Sequence, residues 1–379
     1  MTSFFQYDEL TWPEIAALPR QIPLIIPLGA GYDWDLLAET LDLPEKAGLL
    51  PTIPFGWRGS MLPVEIPLFN GYIQNLLNSL QDDGFTHVFA LTPQNLDLGL
   101  GGRQITQPLP NHLTPSALFP PQEATQCVVL MPVGHTEQHS YHLPLSTDTI
   151  IIDSIAKGIA TGAPGKAVTL PVMPYGVSTH RAAFAGTLNA GGRAFEDFWL
   201  GVLDTLILRG FTRFYLLSGH GGNCSFLVNV VKYAGERYYQ AFIATAWLYL
   251  SGPAGITAIE KNRESKIGGM GHACELETSL VLHLRPDLVH MDRVVDETDF
   301  ISTPSYYMDW VEGGALIANP PWEDDVTAGA YGAGSLGTGE KGAIWLQAAI
   351  AEKISHVDEI HQQYERRIAR RLEYKSRHY

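Results

Sequence analysis

Cysteine is scarce. The 379 residues hold only Cys127, Cys224 and Cys274, and no two of them form a CxxC pair. A disulfide framework is therefore excluded. Basic residues are also in deficit, with 25 Lys+Arg against 40 Asp+Glu and a formal charge of −15. Nucleic acids and anionic membrane surfaces are gripped by clustered Lys and Arg, so neither is an expected partner. No apolar run approaches the roughly 18 residues that a membrane helix needs. Met1–Glu9 lacks the basic and apolar regions of a secretory signal. Free thiols without such a signal point to a reducing interior, and a cytoplasmic location is expected.

What is present is an ordinary globular balance, 45% apolar and 17% charged. The length suits two domains, or one large α/β unit with an extension. Three short segments recur in the same order. Ile26-Pro27-Leu28-Gly29 resembles Met131-Pro132-Val133-Gly134, and Leu50–Gly56 resembles Leu170–Gly176. Gly84–Thr92 likewise resembles Gly210–Ser218. The spacing predicts strands at Pro23–Pro27, Gly48–Ile53 and Val88–Leu91 in one copy, with a helix over Ile73–Asp82. In the other copy it predicts strands at Val128–Pro132, Ala167–Met173 and Arg213–Leu217, with a helix over Phe195–Arg209. A further strand is expected at Gln240–Leu248, a helix near Ala273–Leu284, and a long helix over Lys341–Tyr374. Strands alternating with helices imply an α/β fold, a mostly parallel sheet with helices on both faces, preceded by a degenerate repeat of the same unit. The expected division is 1–95 for the degenerate unit, 96–125 for a Pro/Gly-rich linker, and 126–379 for the working domain.

Histidines select the second copy. Six of 13 fall at His135, His139, His142, His180, His220 and His272, at strand ends or in glycine-containing loops. In parallel sheets the loops after the strand C-termini bind ligands. Glu137 and His139 are two apart and project to one side in extended backbone, where Asp148 can close on them from the next helix. Glu, His and Asp suit Zn²⁺, Mn²⁺ or Fe²⁺, although a polar loop ending in an N-cap Asp has the same composition. Ser218-Gly219-His220-Gly221-Gly222-Asn223 follows a strand directly. In Gly271–Ser279 only one of Glu275 and Glu277 can face inward easily. Gly332–Gly337 fits G-x-G-x-x-G but follows a loop instead of a strand, which disqualifies it as a dinucleotide site.

Taken together, these segments resemble the creatininase (creatinine amidohydrolase) family. The resemblance runs from about Val128 to Ala351 and is carried by Pro132–Asp148, Pro174–His180 with Phe184–Leu188, and the GHGGN loop. His272 with Glu277-Thr278-Ser279, and Gly339–Gly342, complete it. It implies a binuclear site for two divalent ions, Zn²⁺ first and Mn²⁺ or Fe²⁺ as alternatives. Glu137 and His220 hold one ion, His139 the other, and Asp148 bridges. Creatinine-hydrolysing members carry a further Glu ligand two residues after the loop His, where this chain has Gly222. Glu277 is the candidate replacement. Those members also have a substrate-gating Trp where this chain has Gly268. Both departures bear on the substrate. The expected chemistry is water attack on an amide-type carbonyl, with His272 or His180 moving the proton to the leaving nitrogen and His135 and His142 orienting ligands.

The first copy is 15 residues shorter where the second carries Glu137, His139 and Asp148, and has Pro93-Gln94-Asn95 in place of the His loop. It is expected to be catalytically empty and to serve packing, oligomer contacts or the pocket wall. The resulting expectation is a hydrolase of a small cyclic amide, formamide or related compound, working as a homo-oligomer. A metallopeptidase and a non-catalytic scaffold are the competing readings.

Overall fold

The computed structural model of the chain describes residues 2–108, 122–179, 183–310 and 314–378. The first unit comprises β1 (Ser3–Gln6), α1 (Trp12–Ala16), β2 (Leu24–Pro27), α2 (Trp34–Thr40), β3 (Lys46–Leu49), α3 (Ile66–Asp82), β4 (Val88–Pro93) and β5 (Gln104–Gln107). Its sheet is parallel throughout, in the order β1-β3-β2-β4-β5. The second unit opens with β6 (Val128–Val133), α4 (Thr147–Gly162), β7 (Ala167–Thr169), α5 (Gly192–Leu208), β8 (Arg213–Ser218), α6 (Gly221–Arg237) and β9 (Phe242–Thr245). Its four-stranded sheet, β7-β6-β8-β9, is also parallel. It continues through α7 (Pro253–Asn262), β10 (Met270–His272), α8 (Glu275–Leu284), β11 (Tyr331–Gly332) and the 40-residue α9 (Gly339–His378).

Apart from β1, the two large sheets have the same strand order. The correspondence extends to single hydrogen bonds: Gly29 N–H donates to Ile53 O and Gly134 N–H to Met173 O, both at 2.9 Å. The central strands β2, β6 and β8 are buried at every residue, as strands covered on both faces must be. Two expectations need correction. The stretch read as a linker contains β5, which among the described residues pairs with β4 alone at the edge of the sheet. The helix expected from Ile73 begins at Ile66, with Pro67 in its first turn, where a missing N–H costs nothing. At Gly332–Gly337, β11 pairs antiparallel with β10 and a 3₁₀ turn follows, so the strand–turn–helix unit of a dinucleotide site is absent there.

The equivalent helices α3 and α5 pack against each other between the units. Phe198 stacks on Tyr72 with ring centroids 4.7 Å apart and also meets Phe55, Phe69 and Trp199. Tyr72 Oη donates to Tyr175 O at 2.7 Å, and Tyr175 Oη donates to Pro51 O at 2.5 Å. This seam fixes one sheet against the other. Phe198→Ala is expected to destabilise the chain by about 3–5 kcal/mol, measured by denaturant unfolding, because Phe198 is fully buried. A loss below about 1 kcal/mol would mean that the seam contributes little. Among the described residues, no helix is long and apolar enough to cross a membrane.

Candidate metal centre

Every ligand-type side chain of the cluster comes from the end of a second-unit strand, from the loop after it, or from the helix that follows. Glu137 and His139 lie on the loop from β6 to α4, Asp148 in the first turn of α4, and His220 at the N-cap of α6 after β8. β6 and β8 are neighbours although β7 intervenes in sequence, which makes this the switch point where parallel sheets bind ligands. His272 ends β10, and Glu277 sits in the first turn of α8. Gly219 allows the approach: a Cβ there would stand 2.3 Å from the Asp148 carbonyl oxygen.

His139 Nε2 is 3.3 Å from Asp148 Oδ1 and 4.0 Å from Glu277 Oε1. His220 Nδ1 is 2.9 Å from Glu137 Oε1 and 3.3 Å from Asp148 Oδ2. Asp148 thus stands between two half-sites, and its two oxygens face different imidazoles. The five residues are at most 6% exposed. Glu137 Oε1, His139 Nε2 and Asp148 Oδ2 are buried without a hydrogen bond of normal geometry. Unpaired buried lone pairs on a Glu–His–Asp set are what a divalent cation fills.

The outward hydrogen bonds assign the imidazole tautomers. His139 Nδ1 donates to Glu137 O at 3.1 Å and His220 Nε2 to Val177 O at 3.0 Å, so each turns its other nitrogen inward. His272 Nε2 donates to Gln138 O at 2.7 Å, which leaves Nδ1 facing Glu137 Oε1 at 3.7 Å. His135 is reversed. Its Nδ1 accepts from Gly176 N–H at 2.9 Å, so the proton of the neutral ring lies on Nε2, 3.8 Å from Glu137 Oε2. His135 lies among the ligand-type atoms yet offers no lone pair to them, and its Nε2 is buried without a hydrogen-bond partner. His142 Nε2 meets Thr278 Oγ1 at 2.9 Å and braces α8.

Burial, helped by the neighbouring histidine charge, lowers His135 and His272 to about 3, so both are neutral. Burial likewise lowers His142 to about 4. Burial also disfavours a charge on His139, but Asp148 and then Glu277 overcome it and raise His139 to about 9. Burial, then Asp148 and Glu137, push Glu277 up to about 7 against the pull of His139. Protons therefore occupy His139 below about pH 9 and Glu277 below about pH 7 in the metal-free chain, and His220, where Glu137 and Asp148 outweigh burial, stays protonated well above the usual imidazole range. Ligands must shed them, so Zn²⁺ affinity is expected to rise with pH through neutrality and on past about 9. Calorimetry in buffers of different protonation enthalpy reads the release. Release that stays constant from about pH 6 to about pH 10 contradicts it.

The sequence expectation that one of Glu275 and Glu277 turns inward holds for Glu277. Glu275 instead accepts from the backbone N–H groups of Glu264 and Ser265 and from Lys341 Nζ at 2.7 Å. Cys224 and Cys274 are buried, and burial pushes both thiols up, so neither is a thiolate. His180, expected as an alternative proton carrier, lies outside the described residues. Two contributors escaped the sequence. Gln138, inside the Glu-Gln-His triplet, connects His272 to Gly329 O at 2.8 Å. Trp322, in a stretch without a motif, sets its ring against His272 at 4.8 Å.

The family model Creatininase, described as creatinine amidohydrolase, matches residues 118–357. The chain belongs to the creatininase family. The match begins after the first sheet. Within the family, the chain is 30% identical to the creatinine amidohydrolase of Pseudomonas putida, over 46% of this chain and 70% of that one. It is 34% identical to the mycofactocin precursor peptide peptidase of Mycolicibacterium smegmatis, over 44% and 62%. The 3-dehydro-scyllo-inosose hydrolase of Thermotoga maritima is 29% identical over 56% of this chain and 69% of that one. All three are hydrolases by name, with different substrates. Among solved structures, a mutant creatininase complexed with creatine superposes with a TM-score of 0.51 at 24% identity, covering 64% of this chain and 94% of the other. At that identity the likeness establishes the α/β fold with parallel sheets flanked by helices.

Proposed function

We propose that this creatininase-family chain is a metal-dependent amidohydrolase that cleaves a C–N bond of a small cyclic amide, formamide or related compound. The carrying observation is the convergence of Glu137, His139, Asp148, His220 and Glu277 into one buried cluster with unpaired lone pairs. Glu137, Asp148 and His220 would hold one divalent ion, and His139, Asp148 and Glu277 the other. Zn²⁺ is the first assignment and Mn²⁺ or Fe²⁺ the alternatives. Solved creatininases described as Mn and Zn-Zn forms support this. When bound, such ions polarise a carbonyl oxygen and bring the ionisation of water near neutrality.

The chain's own residues do the rest. His272 turns its Nδ1 toward the cluster, 3.7 Å from Glu137 Oε1, and by that placement is the candidate to pass a proton to the leaving nitrogen. Glu277, poised near neutrality before metal enters, is the second candidate for that exchange. Burial of every donor and the Trp322 ring over His272 exclude bulk water and favour a small substrate. A scaffold would have no use for donors kept buried and unpaired. The first unit is read as a degenerate copy without ligands, and the assembly as a cytoplasmic homo-oligomer.

A peptidase acting on a short peptide is the second reading, favoured by the 34% identity to the mycofactocin precursor peptidase. Metal analysis coupled to a hydrolysis screen of lactams, formamides and short peptides separates the two. Turnover of peptides alone reverses the order. Near-zero metal content, with Glu137→Gln as active as the parent, removes the metalloenzyme reading.

A further inference from the structure

Among the described residues, every group of three or more clustered metal-ligating side chains lies in the second unit, which leaves the first unit without an evident task. Its N-terminal arm nevertheless reaches the ligand loop at two points. Leu145 N–H donates to Leu10 O at 3.0 Å and Ser146 N–H to Asp8 O at 2.9 Å, immediately before the helix that carries Asp148. Leu145 in turn accepts at its carbonyl from Glu137 N–H at 3.1 Å, so the same bonds brace Glu137.

The second contact runs through Trp12. Its Nε1–H donates to Ala328 O at 2.9 Å, across 316 positions of sequence. The adjacent carbonyl, Gly329 O, accepts from Gln138 Nε2 at 2.8 Å. Gln138 then holds the site from inside: Ser140 N–H donates to its Oε1 at 2.9 Å, and its backbone oxygen accepts from His272 Nε2 at 2.7 Å. Ring contacts of Trp12 with Tyr141 and Phe184, both at 5.4 Å, close the same face. Thr11 presents Trp12 rigidly, because its N–H and Oγ1 both donate to Glu14 Oε2, at 2.9 and 2.8 Å.

We infer that residues 8–12 of the ligand-free unit form an in-chain clamp that sets the geometry of the 137–148 ligand loop and of His272, with Trp12 as its positioning residue. The inference rests on the metal-site reading above. Side chains that orient ligands without touching the ion typically change metal affinity by about 10–100-fold. Trp12 acts one bond further out through a segment that approaches Gln138 closely: a Cβ on Gly329 would lie 2.4 Å from Gln138 Oε1, so 328–329 cannot shift without moving Gln138.

The test is Zn²⁺ affinity of the full chain by chelator competition, in Trp12→Phe, Trp12→Ala and, as a packing control in the same unit, Trp57→Phe. Trp12→Phe keeps a ring but loses the N–H donor and is expected to bind Zn²⁺ about tenfold more weakly, and Trp12→Ala still more weakly within the range of orienting residues. Trp57→Phe, in the core of the first unit and packed on Phe69, is expected to match the parent. Parent-like affinity in a folded Trp12→Ala chain overturns the clamp. So does a loss in Trp57→Phe equal to that in Trp12→Phe, which would make the effect one of general packing. A parent chain that takes up no Zn²⁺ instead removes the metal-site reading, and the clamp with it.

Discussion

Asp148→Asn is expected to abolish uptake of both ions while leaving the metal-free chain folded. Asp148 is the carboxylate between the half-sites, with each oxygen 3.3 Å from a different histidine. Burial opposes its ionisation, but His139, and His220 by hydrogen bonding, hold its carboxyl below the usual range. It is therefore an anion facing two ligand nitrogens, the condition for a bridging donor. Asparagine keeps the shape and removes the charge. Above about pH 9, where His139 is neutral in the metal-free chain, the amide N–H can donate to His139 Nε2 and the fold should change by no more than about 1 kcal/mol, whereas at neutral pH the broken buried ion pair should cost about 3–5 kcal/mol. With the parent chain, Zn²⁺ at about a hundred times its Kd adds about 2.7 kcal/mol of stability. That increment should vanish in Asp148→Asn. Thermal unfolding with and without Zn²⁺, together with metal content after dialysis, reads both effects. A variant that retains parent-like Zn²⁺ content would show that Asp148 is not a ligand.

How far the centre can be read from the chain depends on the range of the interactions. Glu137, His139 and His220 are recognisable because each lies within a few residues of an apolar strand, where a polar residue has few reasons to be, and Asp148 because it opens the helix that follows the same loop. The α/β class follows from the same local alternation. Residues whose role depends on distant chain are invisible to spacing. Trp322 meets His272 from an irregular segment, and Trp12 meets Ala328 across most of the chain. β5 was hidden for a different reason: Gln104-Ile105-Thr106-Gln107 pairs on one side only among the described residues and has little apolar content to mark it. The choice of Glu277 over Glu275 came from the family resemblance, and its physical reason, the buried partner Lys341 that α9 supplies to Glu275, depends on distant chain.

The largest remaining effect concerns Gly222. By the resemblance, creatinine-hydrolysing relatives carry a glutamate ligand at this position, so Gly222→Glu looks like a repair. The geometry makes it a disruption. A Cβ on residue 222 would lie 2.4 Å from His220 Nε2 and 2.5 Å from the Val177 carbonyl oxygen. Those two atoms form the 3.0 Å hydrogen bond that turns His220 Nδ1 toward Glu137 and Asp148. One of them is backbone and cannot swing aside, so the imidazole must rotate or the 177 segment must move. Either change separates His220 from its half-site. Gly222→Ala is therefore expected to weaken Zn²⁺ binding by at least the roughly tenfold that marks loss of an orienting hydrogen bond, and Gly222→Glu should not recover it. Gly221→Ala is the matched control, because a Cβ there meets nothing within 4 Å. If Gly222→Glu instead binds Zn²⁺ more tightly than the parent, the loop accommodates a ligand at 222, and the assignment of Glu277 as its replacement falls. The expected opposite result makes the glycine and Glu277 a linked pair: the loop that brings His220 this close to Val177 leaves no room for its own carboxylate, so α8 has to supply one.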